Sequence, residues 1–416
     1  MQVSRAAVLF VFMTVVIDSM GIGIIMPVMP DLIRDIDGGD LGQAAIWGGI
    51  LSTIYAVFQF GFGPIVGNLS DHFGRRPVML TALGVMAIDY VIMGLAGAMW
   101  ILVIGRIIGG ITGATHSTAN AFMADMSTDE NRARNFGLVG AGFGLGFILG
   151  PLLGGLLSEF GPRAPFFGAA ALAFANMVLG YLVLPETVTD EIRRPFTWAR
   201  ANPFGAVVQI RKLPGLTRLL IVFFLYNVAF FVYPAIWAYF TQERFDWVAR
   251  DVGISLAIFG LAMALVQGGL VGPVVKRLGE HRAVLTGLTL NFAAFVAFCV
   301  VPKGWMVYAL APISALGGLT SPALQGIMSR SVSKDAQGEL QGILTSVAAL
   351  GMIVAPLIMT QTFGLFTGDG AIAYFPAAPF VVSAALMVVV FVVFSGRTRL
   401  HGADLREGKS ADSGPP

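Results

Sequence analysis

Three ionisable side chains interrupt long apolar runs: Asp18 within VVIDSMGIG, Asp89 within VMAIDYVIM and Arg106 within LVIGRIIGG. A carboxyl withdrawn from water is able to exchange a proton at physiological pH, whereas a guanidinium keeps its proton and acts as a fixed counter-charge. A charge at the centre of an apolar membrane helix costs at least about 2.5–3.5 kcal/mol, so these residues are the sharpest functional signal in the chain. His116 joins them, because an embedded imidazole titrates near neutrality. Asp18, Asp89, Arg106 and His116 are therefore the candidates for proton coupling. The competing reading is a permanent aspartate–arginine lock that only holds helices together.

Neutral polar residues at similar depth supply a candidate substrate surface with Asp18: Gln59, His116, Asn120, Asn227, Gln267, Asn291 and Gln325. Each is equally well explained as an interhelical hydrogen bond contributing about 0.6 kcal/mol. Tyr55, Phe58, Tyr226, Tyr233, Trp237 and Tyr239 read as packing or interfacial anchors.

The elements that carry these residues follow from composition. Of 416 residues, 56% are hydrophobic and 12% charged, against roughly 25% charged in soluble domains, so the solvent for most of the surface is lipid. Stretches long enough to cross a bilayer are expected near 6–30, 45–68, 77–98, 100–123, 135–157, 164–185, 217–240, 251–272, 281–301, 304–328, 338–363 and 371–395. The first lacks a small-residue cleavage pattern and carries Asp18, which makes it a mature helix rather than a signal peptide. With both termini cytoplasmic, only Arg34, Arg163, Arg244, Arg250 and Lys303 fall outside, and Arg106 lies within a span; the opposite topology inverts the positive-inside rule. A net charge of +2 argues against nucleic acid as a partner. Cys299 is the only cysteine, which excludes an intrachain disulfide and any thiolate metal cluster.

A shift of 205 residues brings Gly67 onto Gly272, Gly74 onto Gly279, Gly113 onto Gly318, Gly137 onto Gly342 and Pro151 onto Pro356. These positions are structural punctuation, so their coincidence implies two halves of like topology. The expected architecture is all-α: a six-helix bundle over 1–185, a cytoplasmic linker over 186–216 rich in arginine and proline, a second six-helix bundle over 217–396, and a polar tail over 397–416 that reads as disordered. The parallel six-helix repeat is the pattern of major facilitator transporters, whose substrate site lies between the bundles at mid-membrane.

Two motifs strengthen that resemblance. The segment Gly67-Asn68-Leu69-Ser70-Asp71-His72-Phe73-Gly74-Arg75-Arg76-Pro77 resembles the signature loop of the major facilitator superfamily. It reads as a short turn in which glycines reverse the chain, Pro77 opens the next helix and Asp71 accepts from a helix N-terminus or an arginine of a neighbouring span. The resemblance implies a cytoplasmic gate made of Gly67, Asp71, Gly74, Arg75 and Arg76, with Arg134 as a partner. Gly142, Gly146, Gly150 and Gly154 fall at steps of four and form a smooth stripe on one helix face, against which another helix can pack closely. With Pro151, this run resembles the motif of antiporters and exporters in the superfamily.

The resemblance narrows to the tetracycline/proton antiporter group on Asp18 to Val28 (DSMGIGIIMPV), Ala87-Ile88-Asp89-Tyr90, Gly105-Arg106-Ile107, Gly110 to Thr115, Ala164-Pro165-Phe166-Phe167 and Leu340-Gln341-Gly342. It matches the group's first- and third-span aspartates to Asp18 and Asp89, its second-span glutamine to Gln59, and its gate residues to Asp71, Arg75 and Arg76. Where the group has a ninth-span aspartate this chain has Asn291, and where some members have an eighth-span histidine it has Met263. Asparagine carries no exchangeable charge, so coupling is expected to run through the N-terminal half. The expectation is a monomeric, multi-pass carrier of the bacterial inner membrane. By alternating access it exports tetracycline or a similar amphipathic drug against protons. It has no cofactor, although the substrate is able to travel as a magnesium chelate. The alternative is a carrier of a sugar or other metabolite. An enzyme is disfavoured, since there is neither a nucleotide loop nor a metal-ligand cluster.

Overall fold

A computed structural model describes residues 5–113, 115–128, 131–190, 193–198, 201–203, 215–333, 336–368 and 370–396. Among them every regular element is helical. Eleven helical stretches are long and apolar enough to cross a membrane, and the twelfth span consists of Met99–Thr112 followed by Thr115–Asp125. The tail expected to be disordered lies outside the described residues, as does linker 204–214.

Three boundaries differ from expectation. The first span stops at Ile25, and Met29–Asp37 forms a separate short helix. Pro27 cannot donate to the helical ladder and its ring crowds the preceding turn. The chain accordingly leaves the helix through i→i−3 bonds, Met26 N–H to Gly23 O and Val28 N–H to Ile25 O. The signature segment is not a turn: the second span runs as one helix from Leu41 to Phe73, and the third starts at Arg75. Gly67 is thus helical, and the reversal falls on Gly74 alone, at φ +112°. Finally, residues 371–377 are irregular and the last span is Ala378–Ser395.

The 205-residue repeat is visible as geometry. Gly74 and Gly279 both stand at positive φ immediately before a helix, and Pro151 and Pro356 both lie inside helices. Span four breaks at Gly113, while span ten passes at the corresponding place through a 3₁₀ turn, Leu316–Leu319. Span two carries Pro64 inside its helix; span eight carries a π turn, Val266–Leu270, at the repeat-related level.

The two halves meet at one end of the spans. Thr53 Oγ1 donates to Ile353 O at 3.1 Å, Gly49 lies against Thr360, and Gly42 against Gly368. On the other side Gly155 and Pro151 press on Ala249, Arg250 and Gly253 of span eight. Polar bridges at this end join Gln242 to Asp31 (3.3 Å) and Arg250 to Glu159 (3.2 Å). Toward the end that carries Asp71 the same spans separate. A Cβ added at Gly61, Gly63, Gly140, Gly144, Gly268, Gly272, Gly338 or Gly342 would meet nothing within 4 Å.

Candidate functional site between the bundles

Span five positions span one, and with it Asp18. Its glycine stripe lies on the backbone of span one: a Cβ at Gly142 would sit 3.2 Å from Phe12 O, at Gly146 2.5 Å from Val16 O, and at Gly150 2.7 Å from Met20 O, with Gly154 against Ile24 O. The stripe therefore grips the turn on either side of Asp18, which is half-buried. Span three completes the setting. Tyr90 is buried with its hydroxyl against Gly21, one turn beyond Asp18, where a Cβ would be 2.5 Å away.

Asp89, the neighbour of Tyr90 in sequence, points the other way, into the bundle. It is 1% exposed, and neither carboxylate oxygen has a hydrogen-bond partner. Only glycines at 105 and 109 leave room for it, since a Cβ at either would stand 3.1 Å from a carboxylate oxygen. Arg106, between those glycines, makes no ion pair with Asp89. Its guanidinium donates to Met93 Sδ (2.6 Å) and lies 5.7 Å from the centre of the Tyr55 ring. Tyr55 in turn accepts from Gln59 Nε2 (3.4 Å), which also donates to Gly113 O (3.2 Å). A permanent aspartate–arginine lock is thus absent in this conformation. The arrangement pairs a half-buried carboxyl on span one with a buried one on span three, and a fixed positive charge beside the latter. An isolated buried carboxylate is costly unless neutralised or paired, so a change in charge at this cluster would be felt strongly by the surrounding helices.

At the end where the halves separate, Arg75 binds both Asp71 and Asp125, the latter at 3.1 Å, and donates to Ser70 Oγ at 2.7 Å. Asp71 thus takes the arginine of its own segment. The N-terminus of the third span is capped by Glu186, which accepts from the backbone N–H of Arg75 (2.9 Å) and Arg76 (3.2 Å). Gly74 is required there, because any Cβ would collide with the Glu186 carboxylate. Arg76 donates to Tyr181 O (2.7 Å) and lies over the Tyr181 ring. The linker is strapped to the same corner through Arg194 N–H to Asp71 O (3.3 Å) and Asn68 Nδ2 to Thr197 O (2.7 Å). Arg134 is exposed and joins none of the described ion pairs. In the second half, Glu280 and Arg330 pair (Nε to Oε2 3.1 Å). They stand 205 residues after Arg75 and Asp125, so the repeat keeps the pair and reverses its charges.

The profile of the Major Facilitator Superfamily matches residues 11–356 and 272–411. The chain belongs to that superfamily. It is 40% identical to the class C tetracycline resistance protein of Escherichia coli over 360 residues, which is 86% of this chain and 90% of that protein. It is 38% identical to the class G tetracycline resistance protein of Vibrio anguillarum, over 90% of this chain and 97% of that protein. Among solved structures, the human organic anion transporter MFSD10 (TETRAN) superposes with a TM-score of 0.67 at 25% identity, covering 94% of this chain and 99% of that one. The nucleoside transporter NupG, as its D323A mutant, gives 0.76 at 13% identity over 93% and 98%, a likeness of fold alone. The protein is thus a multi-pass membrane carrier of the facilitator fold that handles small molecules.

In this facilitator the polar residues read from sequence as a substrate surface are not all on one surface. Gln59 and Asn120 are half-buried in the N-terminal half, while Gln267 is exposed in the π turn of span eight. Asn227 donates to Phe223 O (2.7 Å) and Gln325 to Ser321 Oγ (3.1 Å), each within its own helix. Asn291 is 0% exposed, and its Nδ2 donates to Gly287 O (3.0 Å) and Gly317 O (2.9 Å), tying span nine to the 3₁₀ turn of span ten. That places it inside the C-terminal bundle and away from the path. Met263 packs its sulfur against Gly318 of the same turn. The His116 side chain lies outside the described residues. Among the described residues no cluster of His, Cys, Asp or Glu could hold a metal ion. Sequence reasoning missed Tyr90, Met93, Asp125 and Glu186. Of these, Asp125 and Glu186 carried a signal, as acids at the ends of spans four and six opposite the Arg75-Arg76 pair.

Proposed function

We propose that the protein is a proton-coupled exporter of tetracycline or a similar amphipathic drug, working by alternating access in a bacterial inner membrane with both termini cytoplasmic. The observation that carries the reading is the half-buried Asp18, backed by the sealed Asp89 and by Arg106, in a chain that shares 36–40% identity with several tetracycline resistance proteins. With that topology the described conformation is open to the cytoplasm and closed outside. Drug enters from the Asp71 end and meets Asp18. Proton exchange at Asp18, passed on to Asp89 beside Arg106, sets which end is open, and the Asp71–Arg75–Asp125 corner, already formed within the N-terminal half, is the surface that meets the second half when the cytoplasmic side closes. The C-terminal half contributes shape and no titratable acid at mid-depth, since Asn291 occupies the corresponding depth. Substrate travels as the free drug or its magnesium chelate, with Asp18 as the carboxylate available to balance the cation, and the carrier works as a monomer.

Everted vesicles containing the protein test this. An inward-acid pH gradient should drive tetracycline accumulation, with magnesium titrated from chelated to saturating. No gradient-driven accumulation of tetracycline, alongside accumulation of other amphipathic dyes, would retain the mechanism and replace the substrate. Gradient-independent equilibration would overturn the proton role.

A further inference from the structure

Spans nine (Glu280–Val300) and twelve (Ala378–Ser395) pack side by side in the C-terminal half. Between them is a groove with a cavity of about 140 Å³ lined by Leu288, Thr289, Phe292, Met387, Val388 and Phe391. Its floor is closed, with Leu288 and Met387 each 1% exposed, while its rims, Phe292, Val388 and Phe391, are 39–48% exposed. The one polar lining group is already satisfied, because Thr289 Oγ1 donates to Leu285 O at 2.9 Å. On a bilayer-facing surface such a furrow suits an acyl chain and little else.

The end of the groove nearer the Arg75–Glu280 level supplies a charge. His281 and Leu288, and likewise Arg282 and Thr289, are seven residues apart on span nine, two turns and about 10 Å along one face. The His281 ring stacks on Phe394, one turn beyond Phe391, with centroids 4.7 Å apart. His281 and Arg282 are both exposed. The neighbouring acid, Glu280, is taken by Arg330, and Arg282 joins none of the described ion pairs. The negative C-terminus of span twelve is itself covered, since Arg218 donates to the carbonyls of Val393, Phe394 and Gly396. The mouth of the apolar furrow, two turns from Leu288 and Thr289, is therefore positive and open.

We propose that this groove is a binding site for one anionic phospholipid, with an acyl chain held between spans nine and twelve and its phosphate on Arg282 and His281. A surface basic residue strengthens binding to anionic lipid by about fivefold, so the site selects headgroup charge through Arg282 and retains the chain through shape. Native mass spectrometry of the full chain tests it, with phosphatidylglycerol and phosphatidylcholine of identical acyl chains added in turn. The wild type is expected to retain one phosphatidylglycerol several-fold better than phosphatidylcholine. Arg282→Gln should lower phosphatidylglycerol retention about fivefold and phosphatidylcholine retention clearly less, since its choline offsets the phosphate charge. Val388→Trp, at a lipid-facing rim where folding is not at stake, should lower retention of both by filling the furrow. Equal retention of the two lipids by the wild type would overturn the site. So would an Arg277→Gln control that loses as much as Arg282→Gln, which would mark a diffuse basic surface, or full retention by Val388→Trp.

Discussion

Gly146 and Gly144 lie two residues apart on span five and should respond differently to alanine. At Gly144 a Cβ meets nothing within 4 Å, so Gly144→Ala gains the ordinary helix-propensity difference, about 0.8–1 kcal/mol. At Gly146 the same Cβ would stand 2.5 Å from Val16 O, 2.6 Å from Ser19 Cβ and 2.9 Å from Met20 N, all in the helix turn that holds Asp18. Restoring ordinary contact at 3.4 Å means moving one backbone away from another by most of an ångström. Overpacking of this kind costs about 1–3 kcal/mol. Because the propensity gain is common to both variants, their difference isolates the contact and should equal that 1–3 kcal/mol. The assay is thermal unfolding of the purified variants in one detergent at one heating rate, since unfolding of such a protein is irreversible and the midpoint depends on the scan. Gly144→Ala should unfold at or above the wild-type midpoint and Gly146→Ala clearly below Gly144→Ala. Equal midpoints would refute the close approach of spans one and five.

Asp18→Asn should insert and fold normally yet lose gradient-driven export in everted vesicles, because asparagine has no exchangeable proton; undiminished export by that variant would remove Asp18 from coupling. Asp125→Asn weakens the Arg75 corner, a charge-assisted bond whose partners are 11% and 19% exposed, and should cost about 1–2 kcal/mol of stability, read as a lower unfolding midpoint; no change would show that the pair is screened out. Asp71→Ala should slow turnover several-fold at unchanged expression, and normal turnover would deny that corner a gating role. Asn291→Asp replaces a buried donor to Gly287 O and Gly317 O by an acceptor facing two carbonyls; it should destabilise the protein by about 1–3 kcal/mol, and a neutral outcome would show that the span-nine tie is dispensable.

Much of this architecture was already legible in residue order. Apolar length, positive-charge placement and the 205-residue recurrence of glycines and prolines determine twelve spans in two like halves, because lipid forces every spanning segment to satisfy its backbone within itself. The presence of Asp18, Asp89 and Arg106 in apolar runs also marks a site without coordinates, since burial of charge is costly wherever it occurs. What periodicity does not encode is the rotation of each helix about its axis. Tertiary packing alone decides that Asp18 is half-buried beside the span-five glycines while Asp89 is sealed among Gly105 and Gly109, and that Arg106 turns to Met93 and Tyr55 instead of forming an ion pair. It alone reveals Glu186 as the cap of the third span, a partnership across 111 residues. The glycine stripe shows the division most simply: spacing of four predicts a smooth face, and only the assembled bundle shows that the face is pressed to the carbonyls around Asp18, because close approach depends on which surface the neighbour offers.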